Sequence, residues 1–158
     1  MEPRIANRNV LQRPILALLG LSAPIATSSI EPRLQHLIKM RVSQINGCAL
    51  CLAMHAKELL DDGERQDRLA VLDAWRETSW FTDRERAALA FAEAMTTLDN
   101  REVPDAVFDE ARAHFSEQEL GDLALVTIAI NGWNRLNVAF RNQPTPFTIV
   151  QTEVVAAD

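Results

Sequence analysis

Gln44-Ile45-Asn46-Gly47-Cys48-Ala49-Leu50-Cys51-Leu52-Ala53-Met54-His55 holds both cysteines of the chain and one of its three histidines within eight positions. The Asn-Gly pair ahead of the cysteines is of the kind that turns a chain or opens a new helix. In a helix begun at Cys48 and turning about 100° per residue, Cys51 falls about 60° round from Cys48 and His55 about 20° from it. Three side chains able to carry sulfur or proton chemistry then share one helix face.

Three readings fit that spacing. A cysteine in the first helical turn feels unsatisfied backbone N–H groups, which favour its thiolate; a second thiol one turn on can close a disulfide, and an imidazole can move the proton. The same Cys-x2-Cys-x3-His run supplies three ligands that zinc accepts, with a fourth to come from elsewhere. Two cysteines on a buried helix are also ordinary packing residues.

Working outward, Glu31-Pro32 is a helix start, because proline at the first position loses no needed N–H. Leu34, Leu37, Ile38, Arg41 and Val42 then carry three-four spacing to about Gln44. Beyond the motif the cysteine helix runs to about Leu60, where Asp61-Asp62-Gly63 closes it. Glu64 to Glu77 reads as one helix with Leu69, Leu72 and Trp75 inward. Thr82–Glu85 and Ser116–Glu119 are capping boxes; the first heads a small-residue helix ending near Asn100, the second an apolar helix from Leu120 through Ala139. Pro104 opens a short helix between them, to about His114. Asn131 and Asn134, with Gly132, interrupt the last helix, where buried amides bond a neighbour's backbone. Val10 to Ser22 is apolar on nearly all faces and suits a helix packed on two sides, within the chain or against another subunit, with a linker from Ser22 to Ser29. No strand candidate competes, so the expected class is all-α.

At 158 residues, with 47% hydrophobic and 24% charged content, the chain fits one globular domain. A net charge of -6 leaves no basic footprint for nucleic acid. There is no phosphate-binding glycine loop and no serine nucleophile elbow, so nucleotide chemistry and serine hydrolysis are unsupported. Arg4, Arg8 and Arg13 before the apolar run Ile15–Ala23 have the order of a secretory signal; a first helix that is buried or interfacial competes, the run being short for a membrane span. Trp75, Trp80 and Trp133 are read as core or interface, and His114 as a helix-end residue.

The run Met40-Arg41-Val42-Ser43-Gln44-Ile45-Asn46-Gly47-Cys48-Ala49-Leu50-Cys51, with Met54-His55, resembles the core motif of the AhpD-like alkylhydroperoxidases in the carboxymuconolactone decarboxylase superfamily. Ala74–Thr78, Phe81–Leu89 and Asn131–Leu136 also resemble phrases of that family. The likeness covers about residues 10 to 143, within a single domain 1–158 whose tail is 144–158. It implies an all-helical fold assembling as trimers or hexamers, an N-terminal helix that stays attached, a cytoplasmic location, and no cofactor, membrane or nucleic-acid partner. It also implies a peroxidase cycle, in which Cys51 attacks a peroxide, Cys48 resolves the sulfenic acid to a disulfide, His55 relays the proton and a thiol donor such as a lipoyl-bearing protein restores the dithiol.

One position departs from the family. A glutamate commonly stands twelve residues before the first motif cysteine, and here that residue is His36. Three roles are open to His36: an altered relay, a bystander lining the site, or a fourth metal ligand. Glu85 is a candidate replacement carboxylate, set against its place in the capping box. Two other functions stand beside the peroxidase: a metal-binding module of Cys48, Cys51, His55 and His36, and a decarboxylase of a cyclic lactone acid, whose relatives generally lack the Cys-x-x-Cys pair.

Overall fold

The computed structural model of the chain describes residues 2–5 and 8–147, so the expected extended tail lies largely outside the described residues. The described residues form helices and connecting turns, with no strand among them. In order these are α1 (Gln12–Ser22), α2 (Pro32–Asn46), α3 (Ala49–Asp61), α4 (Gln66–Ala70), α5 (Asp83–Thr97), α6 (Asp105–His114) and α7 (Glu117–Phe140).

The apolar periodicity of α2 makes it the central helix, packed on α3, α5 and α7. Leu37, Ile38 and Val42 of α2 are fully buried there. Both capping boxes form: Thr82 and Glu85 bond each other's backbone at the start of α5, as do Ser116 and Glu119 at α7. Glu85 also pairs with Arg68 at 2.7 Å, so it caps a helix rather than serving the cysteines.

α2 and α3 are joined by a single tight turn. Gly47 caps α2 in the left-handed region at φ 65°, a conformation that costs any residue with a Cβ about 1 kcal/mol or more. Three amides fix this turn against α7: Asn46 Nδ2 donates to Asn131 Oδ1 at 2.9 Å and to Asn134 Oδ1 at 3.0 Å, and Asn134 Nδ2 donates to Ser43 Oγ at 3.0 Å. Side-chain partners thus satisfy much of these amides where backbone ones were expected, although Asn131 also donates to Thr127 O.

Two expectations are corrected. Residues 64–77 are not one helix: α4 ends at Ala70 and a 3₁₀ segment, Leu72–Glu77, follows with a kink at Ala74. The expected linker after Ser22 contains a 3₁₀ turn, Ala23–Thr27. Within the chain α1 packs against α7, has no fully buried residue, and leaves Leu16 and Leu19 more than half exposed, the face an expected second neighbour would take. With its flanking turns it makes a helical stretch, Asn9–Thr27, that by length and composition is enough to cross a membrane. Its seat on α7 depends on Gly132, where a Cβ would come within 2.8 Å of Leu18 Cδ2, and on Trp133 Nε1 donating to Ser22 Oγ at 3.0 Å.

Candidate functional site

Cys48 is the N-cap of α3, one residue before the helix proper, with an extended backbone. The difference from a helical Cys48 is small in space but matters chemically. Its sulfur accepts a hydrogen bond from Cys51 N at 3.3 Å, so it occupies the place where a helix start offers N–H groups to negative charge. Cys48 and Cys51 stand at disulfide distance, with Cα atoms 5.4 Å apart, and both are buried. Asn137 Nδ2, from α7, donates to Cys51 Sγ at 3.3 Å.

The two cysteines differ in their surroundings. Cys51 lines a cavity of about 590 Å³, whereas Cys48 does not. Four helical stretches contribute to the wall one stripe each at three-four spacing: Pro32, Gln35, His36 and Lys39 from α2; Leu50, Cys51, Met54 and His55 from α3; Ala129, Ile130, Trp133 and Asn137 from α7. Leu19, Ser22, Ile25 and Ala26, from α1 and the following turn, form the fourth side. Trp133 packs against the core and also walls the site; Trp75 is buried and Trp80 is 42% exposed beneath the Arg65 guanidinium. His114 stays at its helix end and pairs with Glu110.

His55 and His36 meet across the α2–α3 seam, with ring centroids 6.2 Å apart. Between them lies a carboxylate that the sequence reading missed. His55 Nδ1 is 2.6 Å from Glu58 Oε2, and His36 Nε2 is 3.8 Å from the same oxygen. The hydrogen bond from His55 is the main reason Glu58 ionises more readily than an ordinary glutamate; burial opposes this, and the charges of His55, His36 and Lys39 add to it. An ionised carboxylate only accepts, so Nδ1–H of His55 donates to Glu58 and Nε2 is left as the ring's basic atom. Its signal in the sequence is Glu58 three positions after His55, on one helix face.

His36 itself lines the cavity. Burial pulls its pKa below the ordinary 6.5, Glu58 and Asp62 counter this, and Lys39 and His55 push the same way as burial. Its Nδ1 lies 3.4 Å from Asp62 Oδ2 without alignment for a hydrogen bond. Among the described residues no group of three or more His, Cys, Asp or Glu side chains is arranged to hold a metal ion, so the metal-module alternative has no ligand set there.

Relatives place this arrangement. Residues 13–94 match the model of the carboxymuconolactone decarboxylase family. The uncharacterized Bacillus subtilis protein YdfG is 34% identical over 143 residues, which is 90% of this chain and 97% of that protein. A protein of unknown function from Agrobacterium tumefaciens, described with a proposed assignment to AhpD-type antioxidant defence, is 37% identical and superposes with a TM-score of 0.87 over 92% of this chain and all of that one. The debrominase Bmp8 is 25% identical, with a TM-score of 0.73 over 82% of this chain and 70% of its own. With the family match spanning more than half of its residues, this chain belongs to the carboxymuconolactone decarboxylase family and has its AhpD-like helical fold.

Proposed function

We propose that the chain is a thiol-dependent peroxidase. The observation that carries this reading is the pairing of two sulfurs of which only one, Cys51, opens onto a cavity shared with a carboxylate-held imidazole. Nε2 of His55 takes the Cys51 proton; the thiolate attacks the outer oxygen of R–O–OH, the O–O bond breaks, and Cys51 becomes a sulfenic acid. The departing alkoxide takes the proton back from His55 and leaves as an alcohol. Cys48 then displaces the hydroxyl, forming the disulfide and water. A dithiol such as a lipoyl group reduces that disulfide by exchange and is itself oxidised, so the net reaction turns one hydroperoxide and one dithiol into an alcohol, water and a disulfide. The same dithiol serves a disulfide substrate by exchange alone.

The chain works in this reading as a trimer or hexamer in the cytoplasm, where thiol donors are maintained. The exposed Leu16 and Leu19 of α1 are apolar surface that such an assembly would cover.

Likeness to Bmp8, together with a cavity far larger than hydrogen peroxide requires, favours a second electrophile. With a halogenated aromatic, the two thiols would supply two electrons, hydrogen would replace the halogen, and halide would leave as the disulfide forms. Mass spectrometry tests the shared chemistry. Reduced protein treated with an organic hydroperoxide is expected to lose two hydrogens, whereas Cys48→Ser accumulates a trappable sulfenic acid on Cys51. A wild-type mass unchanged by hydroperoxide overturns the peroxidase reading, and halide release from a bromopyrrole would then decide for the second.

A further inference from the structure

Most polar atoms in the cavity wall already have partners. Ser22 Oγ donates to Leu18 O and accepts from Trp133. Gln35 Nε2 is shared among Ile25 O, Ser28 Oγ and Ile30 O. Asn137 is divided between Cys51 and Asn142, and His55 is held by Glu58. The Lys39 ammonium stands apart: among the described residues it makes no hydrogen bond and no ion pair, although it is half-buried in this wall.

Half-burying an ammonium without a partner is unfavourable, and an anion at the same place offsets that cost. Burial pulls the pKa of Lys39 below its ordinary 10.5, with Glu58 working against it from a distance beyond an ion pair. Most of the remaining wall is apolar, through Leu50, Met54, Ile130 and Trp133 among others. A volume of about 590 Å³ is that of a site for an organic molecule.

We propose that the cavity selects an organic hydroperoxide bearing a carboxylate, its carboxylate on Lys39, its apolar body along Leu50, Met54, Ile130 and Trp133, and its peroxide at Cys51. The choice of a hydroperoxide rests on the peroxidase reading; the carboxylate subsite does not. Lys39 lies one turn beyond His36 on α2, so the anion docks beside the imidazoles while the reacting oxygens reach the sulfur deeper along α3.

Two measurements test this. With dithiothreitol as donor, kcat/KM is compared for linoleic acid hydroperoxide and its methyl ester. Wild type should prefer the acid by about tenfold or more, the scale of one charge-assisted hydrogen bond. Lys39→Arg should keep that preference and Lys39→Met should bring the ratio near one. A wild-type ratio near one, or a preference that survives Lys39→Met, overturns the proposal. So does a Lys39→Met variant slowed equally on both substrates with the ratio intact, since the ammonium would then serve the sulfur. Calorimetric titration of the oxidised protein with octanoate and with octanol needs no turnover: octanoate should bind more tightly to wild type, and this advantage should vanish in Lys39→Met. Octanoate binding through Lys39 in a protein that consumes no hydroperoxide refutes the peroxidase reading and leaves the anion subsite standing. Equal binding of octanoate and octanol overturns the subsite.

Discussion

His55 Nδ1 stands 2.6 Å from Glu58 Oε2, on the next turn of the same helix, so this imidazole and its carboxylate partner both belong to α3. His36 occupies the family's usual glutamate position and lies on the far side of the same carboxylate. Acid and imidazole are thereby carried on one rigid element. Two helices need not hold a register for the relay to be aligned.

Removing that carboxylate should slow peroxide consumption. Glu58→Gln keeps the size but cannot stabilise an imidazolium, and kcat/KM should fall by about 10-fold to 100-fold. His55→Ala, which removes the proton carrier, should cost about 10²- to 10⁴-fold, the range of general acid–base catalysis. Stopped-flow oxidation of the reduced protein reads both; a Glu58→Gln variant as fast as wild type would refute the relay.

The depressed pKa of His36 predicts a direction for acid sensitivity. The unfolded chain binds this proton more readily than the folded one, so the contribution to stability is complete above pH 6.5 and is lost as pH falls through 6.5 toward the folded value. Urea midpoints at pH 7.5 and pH 5.5 should therefore lie further apart for wild type than for His36→Gln.

Asn137 donates to the sulfur that faces the cavity. A donor favours the charged form of its acceptor, so its loss disfavours the thiolate. In a Cys48→Ser background, Asn137→Ala should slow iodoacetamide alkylation of Cys51 at neutral pH several-fold, with the gap closing at alkaline pH where the thiol is ionised in either protein.

A second carboxylate holds the fold rather than the site. Glu93 accepts from Trp75 Nε1 at 2.9 Å, Arg41 Nε at 2.6 Å and Arg76 Nη1 at 2.5 Å. Burial alone would raise its pKa, but these donors outweigh it and hold the group below the ordinary 4.5. Glu93→Ala leaves Arg41 with Asp73 and Gln44 as its remaining partners, removes the acceptor of Trp75 and Arg76, and should cost about 2 kcal/mol in denaturant unfolding at pH 7. The stabilisation is present above pH 4.5 and disappears as pH falls through the folded value, so the difference between Glu93→Gln and wild type should shrink at pH 3.5.

Local chemistry made most of the helices legible. Pro32, Gly47, Pro104 and both capping boxes act within a few residues, and each marks a boundary where it was read. The two cysteines and His55 were legible for the same reason, being separated by turns of one helix. What escaped depends on distance along the chain. Trp133 and Asn137 lie some eighty residues from the cysteines, and nothing in α7 alone says which face meets Cys51. The 3₁₀ geometry of Leu72–Glu77 was hidden because Leu72 and Trp75, both buried, satisfy a tight helix as well as an ordinary one. The apolar residues of α1 exceed what its one neighbour within the chain covers, so its pattern alone does not say what meets the other face.

Leu19, Ser22, Ile25 and Ala26 reach the cavity from a stretch of chain that contributes nothing to the sulfur, imidazole or carboxylate. The close approach at Gly132, the hydrogen bond from Trp133 to Ser22 and that from Gln35 to Ile25 O are among the contacts that hold it in place. One wall of the cavity is thus separate along the chain from the reacting atoms: a handful of replacements between Gln12 and Thr27 would reshape that wall while sulfur, imidazole and carboxylate kept their places.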